Sequence, residues 1–421
     1  MKKLRVKISF IIIVLLLSLI LTTLLVNAEE IKISYLYRIT YAGTKEYQEW
    51  LVDTFNKKHE GSIQVEPIGI IDEVFKSKFI TILRGSTPPD VFFCWEGGYA
   101  KNIIDSGVVE PIDRYYEKYH WADILSSAGV NLSIYDGQKY FVPTFMAASL
   151  VWYQTDIFKK YDLSVPNTWE ELMEIASVLK ANGIAPFMLA DLKRWTAQFD
   201  WSAIFVNKYG VDIYKDLMDH KIPWTDDRVV ATFEQMQNMI NDGTYIAGAL
   251  AIDLDPALIP FSKGEAAMWY QGTWMISRFK TIDLQIDCFP YPAIGSVKPT
   301  PSVFAEETVM LNSSSKYKDE AAEFINFIIS KEAQEKLVEM YGPYPANKNV
   351  DLSNLSAVEQ KVGEIIAKGG FTFMHPDHAL LPSIADTYLN QLQGVLVGLV
   401  TPVDAAKEIE RIATKFQGPV K

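Results

Sequence analysis

"IKISYLYRITYAGTKEYQEWLVDTFNKKHEGSIQVEPIGIIDEVFKSKFITILRGSTPPDVFFCW", residues 31–95, decides the class of fold. Its first seven residues alternate and are rich in β-formers, which predicts a strand. Over 44–61, Tyr47, Trp50, Leu51 and Phe55 fall on one helical face. Lys57, Lys58 and His59 stand at the end of that pattern, where the helix dipole favours cations, and Gly61 follows as a stop. A second strand (62–70), a second helical pattern (73–85) and a short buried strand (89–95) complete β-α-β-α-β. That alternation predicts a largely parallel sheet covered by helices.

Upstream, "MKKLRVKISFIIIVLLLSLILTTLLVNAEE" joins a basic start to an apolar run from Ile8 to Val26. Val26-Asn27-Ala28 offers small residues where a signal peptidase cuts, so residues 1–28 read as a secretory leader cleaved after Ala28. The competing reading is a retained anchor, because the run is close to the roughly 20 residues that span a bilayer. No cysteine lies near the cut, so a lipid-modified cysteine cannot serve as anchor there.

Downstream, Thr168 and Glu171 form a T-x-x-E capping box with Pro166 just before it. Leu172, Ile175, Ala176 and Leu179 make an apolar stripe, and Asn182-Gly183 end the helix. Further helical patterns run through 227–241, 318–341 and 402–416, the last opening Thr401-Pro402. No repeat or low-complexity linker interrupts 421 residues, a length suited to two domains.

Apolar residues make up 49 % of the chain, which excludes global disorder. The net charge is −12, and loss of the leader would take it to −16, which argues against nucleic acid and anionic membrane surfaces as partners. Cys94 and Cys288 are the two cysteines, too few for a disulfide scaffold and without metal-binding spacing. GxSxG, HExxH, GxxxxGK[ST] and GxGxxG are absent. "DLDPALIPFSKGE" (253–265) puts Leu258 where a calcium loop needs glycine, so it is rejected. "HPDH", with His375 and His378, reads as a solvated loop, since no third ligand is in reach. No metal and no cofactor are expected.

Several segments in order resemble the extracellular carbohydrate-binding proteins of ABC importers, the solute-binding family that includes maltose-binding protein. They are "LRGSTPPDVFF" (83–93), "SGVVEPID" (106–113), "LVWYQTDIFKKYDLSVPNTWEELMEIASVLKANGIAPF" (150–187), "FSKGEAAMWYQGTW" (261–274), "EAAEFINFIISKEAQ" (320–334) and "YGPYPAN" (341–347). The resemblance implies an α/β two-lobe periplasmic-binding-protein type II fold with a ligand cleft between lobes. It implies a first lobe of 29–145 plus 307–345, a second of 150–301 plus 352–421, and hinges near 146–150, 302–306 and 346–351. Cys94 and Cys288 then fall in different lobes and stay unbonded. It further implies a sugar ligand, lobe closure, the permease subunits of an ABC importer as partners, a monomeric protein, and a location in the periplasm or at the cell surface. One departure is the missing lipid-modified cysteine that many Gram-positive relatives carry.

Candidate carbohydrate-binding residues follow from where open α/β sheets place ligands, at strand carboxyl ends. "AAMWYQ" reads as a strand, Gly272 as the turn, and Trp274 as a ring facing the cleft. On the two faces of that strand, one of Trp269 and Tyr270 is expected in the core. Tyr37 and Arg38 follow the first strand, and Trp95 and Glu96 follow "PDVFF". "RWTAQFDW" supplies Trp195, Asp200 and Trp201, while Glu306 and Tyr344 lie near the later crossings. Aromatic rings cover the apolar faces of a pyranose, and carboxylates or amides bind its hydroxyls. Trp50, Trp152, Trp169 and Trp269 read as core, Trp121 and Trp224 as surface-loop anchors. Three other functions compete: a glycosidase with two carboxylates in the same cleft, a receptor for a non-sugar solute, and a membrane-anchored sugar sensor.

Overall fold

The computed structural model describes residues 30–40, 44–341, 344–368 and 373–420. The proposed leader, 1–28, lies outside them. Eleven strands are present among the described residues: β1 (Ile31–Ile39), β2 (Ile63–Ile71), β3 (Val91–Cys94), β4 (Ile134–Tyr135), β5 (Gln138–Lys139), β6 (Phe141–Gln154), β7 (Ala185–Met188), β8 (Ala266–Gly272), β9 (Ile286–Phe289), β10 (Ser302–Leu311) and β11 (Tyr344–Pro345). Nine of them form one sheet in the order β2-β1-β3-β10-β6-β8-β7, with β9 and β11 also on β6, and β4-β5 make a separate hairpin.

The first five elements are those the sequence predicts. Between β1 and β2 the helix Thr44–Lys58 buries Tyr47, Leu51 and Phe55, and the helix Asp72–Leu83 leads to β3. β1 pairs in parallel with both β2 and β3. The parallel expectation fails at the centre, where β10 runs antiparallel to β3 and β6, and β6 runs antiparallel to β8 and β9. β6 and β10 are not rungs of a βαβ ladder. β6 passes from one half of the sheet into the other, pairing with β10 and then with β8 and β9, and its Met146–Ser149 lie opposite Ser302–Ala305 of β10.

The two halves are the lobes of a two-lobe α/β fold. One core underlies the first lobe and continues across β6 to Trp152 and Trp269. A second fills the other lobe and takes the opposite face of β8 through Met268 and Tyr270. Because both faces of β8 are covered, Trp269 and Tyr270 are both buried, where one of them was expected in the core.

Local signals hold closely in the helices. Thr168 Oγ1 accepts from the Glu171 N–H at 3.2 Å, while Glu171 accepts from the Asn167 N–H at 2.6 Å. Leu172, Ile175, Ala176 and Leu179 are the buried residues of the helix Trp169–Ala181, and Gly183 takes φ +74° just past its end. The pattern over 318–341 divides into two helices, Lys318–Ile328 and Lys331–Tyr341. Among the described residues no helix is long and apolar enough to cross a membrane, and no cluster of three His, Cys, Asp or Glu could hold a metal. Cys94 and Cys288 are buried and free, and burial raises both thiols, Cys288 to about 12.

Candidate functional site

Three consecutive residues of β10 connect the lobes. Phe304 turns its ring toward Trp274, His375 and His378, at centroid distances of 6.2, 5.7 and 5.9 Å. The Ala305 N–H donates to Glu96 Oε2 at 2.9 Å. Glu306 accepts from Arg38 Nη2 at 2.9 Å. In a regular strand Glu306 and Glu307 would point to opposite faces. A register shift between Ala305 and Glu307 breaks that alternation, and Glu307 reaches the same guanidinium at 3.5 Å.

On the first-lobe side, the Arg38 guanidinium lies 4.7 Å above the Phe93 ring and 5.1 Å above Trp95. Trp95 also meets Phe75 and Phe93 edge-on, so it is a buried support under the arginine and not an open platform. Tyr37 is buried against Gly69, whose missing side chain makes room for the phenol. Glu96 is fully buried, and desolvation pushes its carboxyl well above the usual range despite the Ala305 N–H. Its Oε1 has no hydrogen-bond partner among the described residues.

On the second-lobe side, Trp274 stands at the start of the helix Met275–Thr281 and is half-buried. Its ring lies back over Gly272: a Cβ there would come within 2.2 Å of the six-membered ring. Gly272 is therefore needed for that seat and not for a left-handed turn, because its φ is not positive. Trp274 meets Trp195 at 6.1 Å and Phe199 at 5.8 Å, and Trp195 is half-buried too. The turn carrying Trp195 is held by Asp191, whose Oδ1 accepts from the Thr196 and Ala197 N–H groups, both at 2.9 Å.

His375 is buried rather than solvated. Its Nε2 lies 2.8 Å from Ser149 Oγ on β6, and its Nδ1 lies 2.7 Å from Ser202 Oγ on the helix Ala197–Tyr209. Burial, with His378 nearby, holds its pKa well below the ordinary histidine value, so the ring is neutral. Phe304, Phe199, Ser149 and Ser202 had no local signal in the sequence, and His375 had one that pointed to a solvated loop. Ser149 and His375 are 226 residues apart.

Three expected ligands lie in the interior. Trp201 has no exposed surface and packs on Phe205, Trp224, Phe233 and Tyr388. Asp200 is buried beside Tyr245, and desolvation lifts its carboxyl to about 8. Tyr344 donates to the Glu359 carbonyl at 2.8 Å inside the protein. The first two belong to a helix buried from Ala197 through Asn207, so aromatic density there marks core and not cleft. Trp121 and Trp224 are also core, not surface anchors. Conversely, Trp169 is only half-buried: it stacks on Tyr291 beside a surface pocket of about 500 Å³ lined in part by Lys208, Glu234 and Asn238.

Two α/β lobes that share crossing strands, with rings and paired charges gathered at the crossing, have the build of a two-lobe solute receptor. Residues 41–335 match the bacterial extracellular solute-binding proteins, and the chain belongs to that family. It is 24 % identical over 392 residues to an ABC-transporter extracellular-binding protein of Pyrococcus horikoshii, covering 91 % of this chain and 86 % of that one. It is 23 % identical to a multiple sugar-binding protein of Streptococcus mutans, covering 61 % and 59 %. Among solved structures, a chitin oligosaccharide binding protein superposes with a TM-score of 0.82 at 19 % identity, covering 93 % of this chain and all of that one. A protein from a study of xylan utilisation by Caldanaerobius polysaccharolyticus superposes at 0.81 and 22 % identity, covering 91 % and 100 %.

Proposed function

We propose that this protein captures a carbohydrate, an oligosaccharide in particular, between its lobes and delivers it unaltered to the permease of an ABC importer. The observation that carries the reading is the pair of half-exposed indoles, Trp274 and Trp195, side by side at the lobe crossing. A pyranose offers two apolar C–H faces and a rim of hydroxyls. Indoles cover such faces, and the nearby polar atoms serve the rim. Glu306, half-buried on β10, is one such acceptor. Glu96 Oε1 and Trp274 Nε1, each buried without a partner among the described residues, are polar atoms of the kind a ligand completes. Arg38 and Trp95 support this group from below. The proposed hinges are 146–150 and 302–306, where β6 and β10 pair, and 346–351, which follows β11. The names of relatives that bind sugars point the same way, as does their role in ABC transport for the permease partner.

The test is a thermal-shift screen of the purified protein against monosaccharides and oligosaccharides. A ligand at 100 times its dissociation constant adds about 2.7 kcal/mol to stability, which is easily seen. Chromatography of each stabilising saccharide after long incubation should recover it intact. No shift with any saccharide would overturn the sugar reading, and catalytic accumulation of shorter products would replace the receptor with a glycosidase.

A further inference from the structure

Past β3 the chain enters the helix Gly98–Asp105 through two adjacent glycines. Gly97 has φ +68° and ψ −131°, a conformation that favours glycine on backbone grounds alone. Gly98 has no such reason, since it is the first helical residue and its φ is not positive. The reason lies across the cleft.

The segment from Met374 to Leu380 is fastened to the second lobe. Tyr214 donates to the Met374 carbonyl at 2.7 Å, the Asp377 N–H donates to Gln198 at 2.8 Å, and Leu380 is part of the second core. Two carbonyls of this segment press on the first lobe. A Cβ placed on Gly97 would lie 2.1 Å from the His378 oxygen, and one on Gly98 would lie 2.0 Å from the Leu380 oxygen. Neither obstacle is a flexible side-chain end; both are backbone, so main chain must shift to relieve them. Glycine Cα–H groups accept this approach as weak C–H···O contacts, and the helix N-terminus adds partial positive charge facing the carbonyl oxygens. His378 also faces Phe304, so the seat and the aromatic floor of the site are joined through one residue.

We infer that Gly97 and Gly98 form the seat on which the His378–Leu380 backbone of the second lobe lands when the lobes close, and that Gly98 is a positioning residue setting ligand affinity by permitting full closure. The inference rests on the two-lobe receptor reading and adds where closure is arrested. Its class of effect is conformational: a methyl group at position 98 acts as a wedge.

The experiment uses the full chain with Gly98→Ala, a residue helices favour over glycine, and with Gly98→Val as a larger wedge. The probes are maltotriose, xylotriose and chitotriose, each at saturating concentration. Gly98→Ala should keep the parent's circular dichroism and unliganded melting temperature. Its radius of gyration should stay at the unliganded value when a probe that contracts the parent is added. Its affinity should fall tenfold or more, mainly through faster dissociation, and Gly98→Val should fall further. Should the parent ignore all three sugars, the sugar reading is judged by the wider saccharide screen and not by the seat. The seat is then read without ligand, from fluorescent labels at Lys101→Cys and Asp386→Cys; the buried Cys94 and Cys288 thiols are expected to resist labelling. The parent's distance distribution should contain a short-distance population that Gly98→Ala lacks. A Gly98→Ala protein that contracts and binds like the parent, or one whose label distances equal the parent's, overturns the inference. So does loss of folding in Gly98→Ala, which would place the clash within one lobe.

Discussion

Trp274 shows how little a residue's role depends on its identity alone. Its ring is seated on Gly272 and half-exposed, whereas Trp201, equally aromatic and equally expected at the ligand, is enclosed by four rings. Trp274→Ala should cost roughly 2–4 kcal/mol of saccharide binding, the range of a buried aromatic anchor, with a smaller change in melting temperature. Trp201→Ala should cost roughly 3–5 kcal/mol of stability and leave the affinity of the folded fraction nearly unchanged. Calorimetric titration and thermal melts on both variants check the pair. The buried carboxyl of Asp200 makes a second prediction. Its folded-state value is about 8 against 3.8 for the free side chain, so between those values the unfolded chain holds fewer protons than the folded one. Stability therefore falls as pH rises through that window, by up to about 1.4 kcal/mol per pH unit. Asp200→Asn removes the titration. The variant should gain on the parent steadily as melts move from pH 4.5 to pH 8, and a constant difference would count against the raised carboxyl.

Among the elements, the helices were the most legible and the crossing strands the least. A cap is a local device: Thr168 and Thr401 each accept from an N–H three residues on, and both were readable within four letters. Thr168→Ala should cost about 1 kcal/mol of stability and leave saccharide affinity alone. Asp191 is not a cap of this kind: it accepts from the N–H groups five and six residues on and holds the turn that presents Trp195. Asp191→Ala should lower the melting temperature and weaken binding together, and the contrast between the two variants, measured by melts and titration, separates a structural cap from a carboxylate that also positions a ring. The β10 strand could not be resolved this way. Its register shift brings Glu306 and Glu307 to one guanidinium, and nothing in the letters around it marks the shift.

For the molecule as a whole, the proposed function turns on motion between lobes that meet where β6 and β10 pair. Bending at a few residues where those strands pair would move the lobes with little internal change. Small-angle scattering should give a smaller radius of gyration with a saturating oligosaccharide than without it. Equal curves, in a protein shown by calorimetry to bind, would mean that closure does not accompany binding. The contact between Gly98 and Leu380 is the other end of the same movement.

Periodicity, caps and the order of short segments determined the α/β class, the positions of several long helices and the family, because each is written within a few neighbouring residues. Only the tertiary structure decided which rings stay open, that the central strands run antiparallel, and that His375 is buried between Ser149 and Ser202. Those outcomes depend on how each element is rotated and what packs on it. The partners concerned stand up to 268 residues apart, as Arg38 and Glu306 do. No local pattern encodes such pairs; they exist only once the two cores have formed and the crossing strands have brought both lobes to one place.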